Sequence, residues 1–314
     1  MTGVQITGIA VISLVIIFLV SEYVMANFMA TLIMTPPSRF CPTPEQVKER
    51  KTYEISAEHE VYADADFDAY EGWEAERFLC ENAGIQIPAV FHPLECARGC
   101  VILAHGFGQN RYAMVPYAEI FRKLGFSTIL FDERRFGESK APYGTFGIKE
   151  AMDVAALVEW VKQRCGKETK IVLHGVSMGA VSVMNALKYT DEVDYVVEDC
   201  GFIRVSQGLQ FVYRSMMHLP NPFLIPVVKK RAEKFGFNVM DNNPIDVVKN
   251  SQVPICVVHG NMDKAVSVEC AKELQTVLKN PKSRVEIYEG RDHAYSICDK
   301  ERYVQMLSDF LKEV

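Results

Sequence analysis

A serine with glycines on both sides stands at a predicted junction between a strand and a helix. The segment Gly175-Val176-Ser177-Met178-Gly179 follows the apolar run 171–173 and precedes a helical pattern that begins at Ala180. Glycines two residues before and after a serine let the backbone turn sharply there, which exposes the serine hydroxyl at the end of the strand. The segment therefore predicts an α/β fold with Ser177 as a nucleophile.

Short apolar runs alternate with helical patterns through most of the chain. The predicted strands are 73–80, 84–92, 100–104, 127–131, 171–173, 195–197, 255–258 and 285–288, and the first two form a hairpin. The predicted helices are 114–124, 148–164, 178–189, 266–278 and 299–313. This alternation indicates a mostly parallel sheet flanked by helices. Residues 202–250 interrupt it with prolines, among them Pro220, Pro222 and Pro226, and with many large apolar residues, and we predict a small helical cap there.

The N-terminus is apolar over a length that could cross a membrane. No charged residue occurs from Thr2 to Ser21, and about 20 apolar residues span a bilayer as a helix. We therefore predict a membrane anchor in residues 1–34. A cleaved signal peptide is the alternative, although the basic start and the Ala-x-Ala site that such peptides carry are missing. Lys and Arg follow the anchor within 39–51, so the positive-inside rule places the body in the cytoplasm.

The rest of the chain divides into two parts. Residues 35–72 are rich in proline and then in acidic residues, which predicts a stalk, and residues 73–314 form the predicted body.

A net charge of -6 and the lack of Lys and Arg runs interleaved with aromatics argue against a nucleic-acid partner. The nine cysteines are odd in number and several lie in apolar runs, which favours reduced thiols. We expect neither a metal nor another cofactor.

A glycine-rich segment follows the predicted strand 100–104. It reads His105-Gly106-Phe107-Gly108, and in such a fold this loop directs a backbone N–H at the developing oxyanion. The amides of Phe107 and Met178 are therefore the predicted oxyanion donors. His105 is expected to be structural, because better candidates for the acid and the base lie downstream.

The predicted base and acid follow the serine in chain order. Asp263 comes just after the strand 255–258, and His293 just after 285–288, so both lie where parallel strands end. His293 is the only histidine after Asp263. Glu198 and Asp199 remain the alternative acid, since a carboxylate there could reach the same imidazole. Asp292 adjoins His293 and is expected to point away from its ring.

These motifs resemble the α/β hydrolases of the serine aminopeptidase, lysophospholipase or esterase kind, many of which carry an N-terminal membrane segment. The resemblance runs from about Trp73 to the C-terminus. Its motifs are 105–108, Asp132-x-Arg134-x-Phe136-Gly137-x-Ser139, 175–179, Asp199-Cys200-Gly201-Phe202, Gly260-x-x-Asp263 and His293. Arg135 departs from the pattern, because relatives often have glycine there.

Three functions are compatible with these residues. The first is hydrolysis of carboxylic esters through an acyl-enzyme on Ser177, with a small-molecule or lipid-like ester as partner. The cap contains apolar residues that could form an acyl pocket: Phe202, Phe211, Met216, Met217, Leu219, Phe223 and Leu224. The second is a peptidase or amidase with the same catalytic residues. The third is a membrane-tethered scaffold without catalysis.

Overall fold

One sheet of eight strands organises the protein in the computed structural model, which describes residues 3–36, 65–217 and 221–314. The strands are β1 (Glu76–Asn82), β2 (Ile85–His92), β3 (Cys100–Ala104), β4 (Ser127–Phe131), β5 (Ile171–Val176), β6 (Tyr195–Asp199), β7 (Ile255–Gly260) and β8 (Arg284–Tyr288). Within the described ranges the α-helices are α1 (Gly3–Met34), α2 (Phe67–Glu71), α3 (Val115–Lys123), α4 (Lys149–Cys165), α5 (Met178–Ala186), α6 (Val205–Met217), α7 (Leu224–Lys234), α8 (Pro244–Asn250), α9 (Glu269–Gln275) and α10 (Lys300–Phe310). Short 3-10 segments occur at Arg111–Met114, Val239–Asp241 and Ser296–Cys298.

The sheet begins with an antiparallel hairpin and continues with parallel strands. Its order is β1-β2-β4-β3-β5-β6-β7-β8, and the pairs from β4-β3 to β7-β8 are parallel. Only Ala83 and Gly84 connect β1 to β2, and both have positive φ angles, of 51° and 75°. Two such residues form a tight turn whose twist matches a hairpin. The predicted mostly parallel sheet flanked by helices is confirmed.

Helices cover both faces of the sheet. One apolar layer lies under α3 and α10, and the other lies under α4, α5 and the cap helices. Because both faces are covered, β3 to β7 are buried along their whole length, as their continuous apolar sequences require. The carboxyl ends of the parallel strands meet at one edge, and the loops that follow β3, β5, β7 and β8 lie together there.

The predicted insertion at 202–250 contains three helices, α6 to α8, between β6 and β7. A buried pair of asparagines ties it to the body. Asn185 of α5 donates to the Asn242 side-chain oxygen at 2.7 Å, and Asn242 donates to the Phe146 carbonyl at 2.6 Å. Each amide uses strong hydrogen-bonding groups that would be costly to bury unpaired, so these contacts specify how the cap is placed.

Helix α1 has two different environments. Its span from Gln5 to Met34 contains an 18-residue stretch with a mean hydropathy of 2.5 and is long and apolar enough to cross a membrane. Residues 5–20 are exposed to the surroundings of the protein, whereas Met29, Ile33 and Met34 are buried in the main core. The last turns of α1 therefore belong to the body of the protein, and the predicted anchor, which ends at residue 34, includes residues that pack as core.

The predicted stalk also needs correction where the structure describes it. Residues 37–64 lie outside the described residues. Helix α2 buries Phe67 and Tyr70 in the layer beneath α3, and the Asp66 amide donates to the Glu119 carboxylate at 2.6 Å. The body therefore begins by residue 65, eight residues before the predicted start at 73. The two aromatic residues three positions apart form one apolar helix face, which the surrounding acidic residues concealed.

Candidate active site

The turn between β5 and α5 presents Ser177 in a strained conformation. Its φ and ψ angles are 56° and −114°, a region that L residues rarely occupy. The flanking glycines make this turn sterically possible. A Cβ on Gly175 would lie 2.2 Å from the Gly179 carbonyl oxygen, and a Cβ on Gly179 would lie 2.1 Å from the Ala104 oxygen. The Ser177 amide donates to the Asp199 carbonyl at 2.8 Å, which fixes the turn to the end of β6.

His293 and Asp263 are brought to this serine from the loops after β8 and β7. The distance between Ser177 Oγ and His293 Nε2 is 2.8 Å, and that between His293 Nδ1 and Asp263 Oδ2 is 2.7 Å. A proton on Nδ1 is donated to the carboxylate, which leaves Nε2 free to accept the serine proton. The three predicted residues therefore form one continuous chain of hydrogen bonds.

The surroundings of Asp263 keep it ionised. Its Oδ1 accepts the amides of Ala265 and Val266 at 2.7 Å each, and His259 Nε2 lies 3.3 Å from its Oδ2. Burial opposes ionisation, but hydrogen bonds from His259 and His293 outweigh it and hold the pKa of the Asp263 carboxyl well below its usual range. An ionised carboxylate at this place orients His293 and stabilises its protonated form.

The alternative acids are engaged elsewhere. Glu198 accepts the Gly201 amide at 2.9 Å, and Asp199 accepts the Tyr303 hydroxyl at 3.0 Å. Burial raises the pKa of Glu198 to about 8 and that of Asp199 to about 7. Asp292 accepts its neighbour's amide and forms an ion pair with Lys264 at 3.0 Å. The geometry therefore favours Asp263 as the carboxylate that orients the histidine.

The glycine-rich loop after β3 passes directly beside the serine. A Cβ on Gly106 would lie 3.5 Å from Ser177 Cβ, and the Phe107 ring packs edge-on against Phe136 at 5.3 Å and Phe146 at 6.0 Å. No backbone hydrogen bond from the Phe107 or Met178 amide occurs in the described part of the chain. Among these residues the two N–H groups are therefore without a backbone acceptor, as the predicted role of oxyanion donor requires.

His105 has a structural place in this loop. Its Nδ1 donates to the Gly106 carbonyl at 2.8 Å and its Nε2 accepts the Glu133 amide at 3.0 Å, with the side chain fully buried. Because both ring nitrogens hold backbone groups, His105 fixes the path of the loop. Its burial lowers its pKa, so it is neutral.

A cavity of about 200 Å³ opens beside Ser177 and His293. The large side chains in its wall are Phe107, Met114, Tyr117 and Tyr295. A second cavity, of about 400 Å³, lies between the cap and the loop after β7 and is lined in part by Phe202, Val266 and Cys270.

The cap residues predicted to form an acyl pocket are not all in the walls of these two cavities. Leu224 is fully buried in the core, and Phe223 packs edge-on against Tyr23 of α1 at 6.1 Å. Among the described cap residues of that set, Phe202 lines a cavity. The side chains of Phe211, Met216, Met217 and Leu219 lie outside the described residues.

Sequence reasoning missed two residues of the site. His259 contacts the Asp263 carboxylate, and its spacing in His259-Gly260-x-x-Asp263 was the available signal. Cys200 places Sγ 4.0 Å from His293 Nε2. Ligand atoms of Cys200, Asp263 and His293 all lie within 4.8 Å of one another, a grouping that arises from three separate loops and has no sequence signature.

Comparisons with known proteins agree with this architecture. A family model described as serine aminopeptidase, S33, matches residues 95–246, which include Ser177 and end before Asp263. The protein YqkD of Bacillus subtilis is 26% identical over 256 residues, which cover 78% of this chain and 82% of that protein. The thiohydrolase aneE of Aspergillus aculeatus is 25% identical over 162 residues, which cover 45% of this chain and 51% of that protein.

Solved structures extend the likeness to the fold. The structure of an esterase from Pyrococcus furiosus matches with a TM-score of 0.63 and 24% identity, over 78% of this chain and 92% of that chain. The fold of this chain is therefore that of the α/β hydrolases, and the family match over residues 95–246 supports a place in that superfamily.

Proposed function

We propose that this protein is a serine hydrolase that cleaves carboxylic esters through an acyl-enzyme on Ser177. The observation that carries the proposal is the unbroken path of hydrogen bonds from Asp263 through His293 to Ser177 Oγ, with distances of 2.7 and 2.8 Å. The path ends on a strained turn that aims the hydroxyl toward a cavity. These distances are those that a general base needs for proton transfer.

The reaction follows from these positions. His293 Nε2 takes the Ser177 proton while Oγ attacks the ester carbonyl, and the Phe107 and Met178 amides donate to the oxyanion. His293 then gives that proton to the leaving alkoxide, which departs as the alcohol and leaves the acyl-enzyme. Water, deprotonated by the same Nε2, attacks the acyl carbon, and Ser177 recovers its proton as the acid is released.

The cavity favours an uncharged ester over the substrate of an aminopeptidase. An aminopeptidase must recognise the cationic α-amine of its substrate, for which a carboxylate is the strongest partner. None of the described residues that line the cavity is acidic: Gly106, Phe107, Gln109, Ala113, Met114, Tyr117, Val176, Ser177, His293, Ala294 and Tyr295. The likeness to an esterase and to a thiohydrolase supports acyl transfer to water as well.

The size of the cavity points to a compact group on one side of the ester. Its volume of about 200 Å³ is below the 300–1,000 Å³ range common for ligand sites. A long acyl chain, as in a lipid ester, would need the second cavity beside Phe202 in addition. A series of p-nitrophenyl esters from acetate to palmitate distinguishes the two, because compact substrates should be cleaved faster if the first cavity alone is used.

We also propose that α1 anchors the protein in a membrane and stays attached to it. Cleavage of α1 as a signal peptide would remove Met29, Ile33 and Met34, which are buried in the core, and this supports an uncleaved helix. The basic residues that follow at 39–51 support a cytoplasmic body.

A fluorophosphonate probe tests the catalytic proposal in the full-length protein in detergent. We expect the wild type to be labelled, Ser177→Ala to show none, and His293→Ala and Asp263→Asn to be labelled far more slowly. Asp199→Asn is the matched control, because it alters the neighbouring carboxylate that holds Tyr303, and its labelling should stay near that of the wild type. A folded wild type without labelling would contradict the proposal and favour a non-catalytic scaffold. Faster turnover of aminoacyl amides than of esters would favour the peptidase instead.

A further inference from the structure

The charged side chain nearest the N-terminus marks where α1 meets the cap. Residues 5–21 have exposed side chains, and Glu22, which follows them, is 6% exposed. Its carboxylate accepts the Tyr213 hydroxyl at 3.2 and 3.3 Å, and its carbonyl accepts the Asn221 side-chain amide at 2.8 Å. A buried carboxylate is stable when hydrogen bonds replace its hydration, so these contacts fix one rotational setting of α1 against the cap.

Helix α7 continues this contact along α1. Tyr23 packs against Phe223 at the start of α7, and Thr31 is hydrogen-bonded to Arg231 near its end. The paired positions advance in the same direction on both helices, so α7 runs parallel to the last part of α1. Its N-terminus therefore lies level with Tyr23, close to where the part of α1 that is exposed on all sides ends.

The length of the exposed part matches a bilayer. Residues 3–22 of an α-helix are about 30 Å long, which equals the thickness of the hydrocarbon core. Tyr23 and Phe223 then stand at the boundary between hydrocarbon and headgroups, where aromatic side chains are enriched. The exposed Lys229 and Lys230 lie about 9 Å farther along α7, at the outer edge of the headgroups, where cations are attracted to anionic lipids.

We propose that the cap is seated directly on the bilayer surface, with Phe223 and the adjoining Pro222 in contact with lipid and α7 rising away from the membrane. The partner is the headgroup layer of a phospholipid bilayer that contains anionic lipids. The inference rests on the membrane role proposed for α1 and is independent of the chemistry at Ser177. In this arrangement the body has a fixed orientation on the membrane and is not held by a flexible linker, because the docked part of α1 shares its core with the body.

Photo-cross-linking measures this contact in the full-length protein. The photoreactive residue p-benzoylphenylalanine is introduced singly at Phe18, Pro222, Phe223 and Lys234, and each protein is reconstituted into vesicles of phosphatidylcholine and phosphatidylglycerol. Phe18 is the positive control inside the apolar segment. Lys234 is the matched control, since it is exposed on the same helix about 16 Å beyond Phe223. Lipid adducts are quantified by mass spectrometry after irradiation.

We expect Phe18, Pro222 and Phe223 to give several-fold more lipid adduct than Lys234. Combining Tyr213→Phe with Asn221→Ala removes the partners of Glu22 and should lower the yield at 222 and 223 while leaving that at Phe18 unchanged. Adduct at Phe18 with no more at 222 and 223 than at Lys234 would overturn the seating of the cap. Absence of adduct at Phe18 would overturn it too, by removing α1 from the bilayer. Neither result bears on the proposed ester hydrolysis, which is measured separately.

Discussion

Replacing Gly179 by alanine should damage the oxyanion site while leaving the triad side chains unchanged. The added Cβ would lie 2.1 Å from the Ala104 oxygen and 2.7 Å from the His105 oxygen, and ordinary contacts of this kind are about 3.4 Å. The start of α5 and the loop after β3 must therefore separate by about 1 Å. An oxyanion donor acts over about 2.7 to 3.1 Å, so a shift of that size withdraws the Phe107 amide from its acceptor.

Loss of one such donor lowers kcat by about 100- to 1,000-fold, or about 3 to 4 kcal/mol of transition-state stabilisation. The assay is hydrolysis of p-nitrophenyl butyrate by the full-length protein in detergent, with thermal unfolding measured in parallel. Overpacking costs about 1 to 3 kcal/mol of stability, which a domain of ordinary stability tolerates.

Gly106→Ala is the matched control in the same site. A Cβ there meets Ser177 Cβ and the Val176 oxygen at 3.5 Å, an ordinary contact distance, so its kcat/KM should fall by less than about tenfold. Turnover by Gly179→Ala close to that of the wild type would refute the reasoning. So would an equal loss in both variants, since the argument depends on the difference between the two contact distances.

Three further predictions concern stability. The pKa of Asp199 is about 7 in the folded protein against 3.8 ordinarily, so the folded state keeps a proton that the unfolded state loses, and wild-type stability falls as pH rises. The free energy of unfolding of Asp199→Asn, relative to wild type, should therefore rise by a few kcal/mol between about pH 5 and pH 8 in urea titrations; a constant difference would contradict this. Met34→Ala should cost about 2 to 5 kcal/mol of unfolding free energy, whereas Phe28→Ala, on the exposed face of the same helix, should cost under about 1 kcal/mol. Equal losses of unfolding free energy in these two variants would mean that α1 is not docked on the body. Arg135 has a φ of 73°, so Arg135→Gly relieves about 1 kcal/mol of backbone strain that Arg135→Ala keeps, and glycine should give the higher Tm of the two variants, which lose the same side chain; a Tm no higher for glycine than for alanine would contradict this.

The residues proposed for catalysis could be found from the sequence because each follows a local rule. Gly175 is required by a contact of 2.2 Å with the Gly179 oxygen in the same turn, and Gly179 by a contact of 2.1 Å with the Ala104 oxygen at the end of β3. Both constraints act two residues from Ser177, so they leave a fixed spacing in the chain. Asp263 and His293 each follow a strand, and parallel strands bring their carboxyl ends to one edge. Arg135 stands out for a local reason too, because its backbone is in the left-handed conformation, which favours glycine.

Cys200 and His259 could not be placed in the same way. Cys200 meets His293 only after β6 and the loop after β8 are assembled. His259 lies four residues before Asp263, so that spacing was present in the chain, but no residue type at 259 requires the contact. Cys200 follows a strand, as many buried cysteines do, and a distance of 4.0 Å to His293 depends on a third loop. Contacts that depend on several loops leave no fixed spacing in the sequence.

Helix α1 shows a different limit of sequence reasoning. It is apolar on all sides, so periodicity, which depends on contrast between two faces, cannot tell lipid-facing positions from core positions. The informative residue was Glu22, a single carboxylate inside an apolar helix. A charge at such a place is costly unless a partner is provided, and the structure provides one as the Tyr213 hydroxyl of the cap, while Asn221 donates to the Glu22 backbone carbonyl. A single charge within an apolar N-terminal helix therefore predicts a docking point between that helix and the domain it carries, and the contrast between Met34→Ala and Phe28→Ala tests whether the docking contributes to stability.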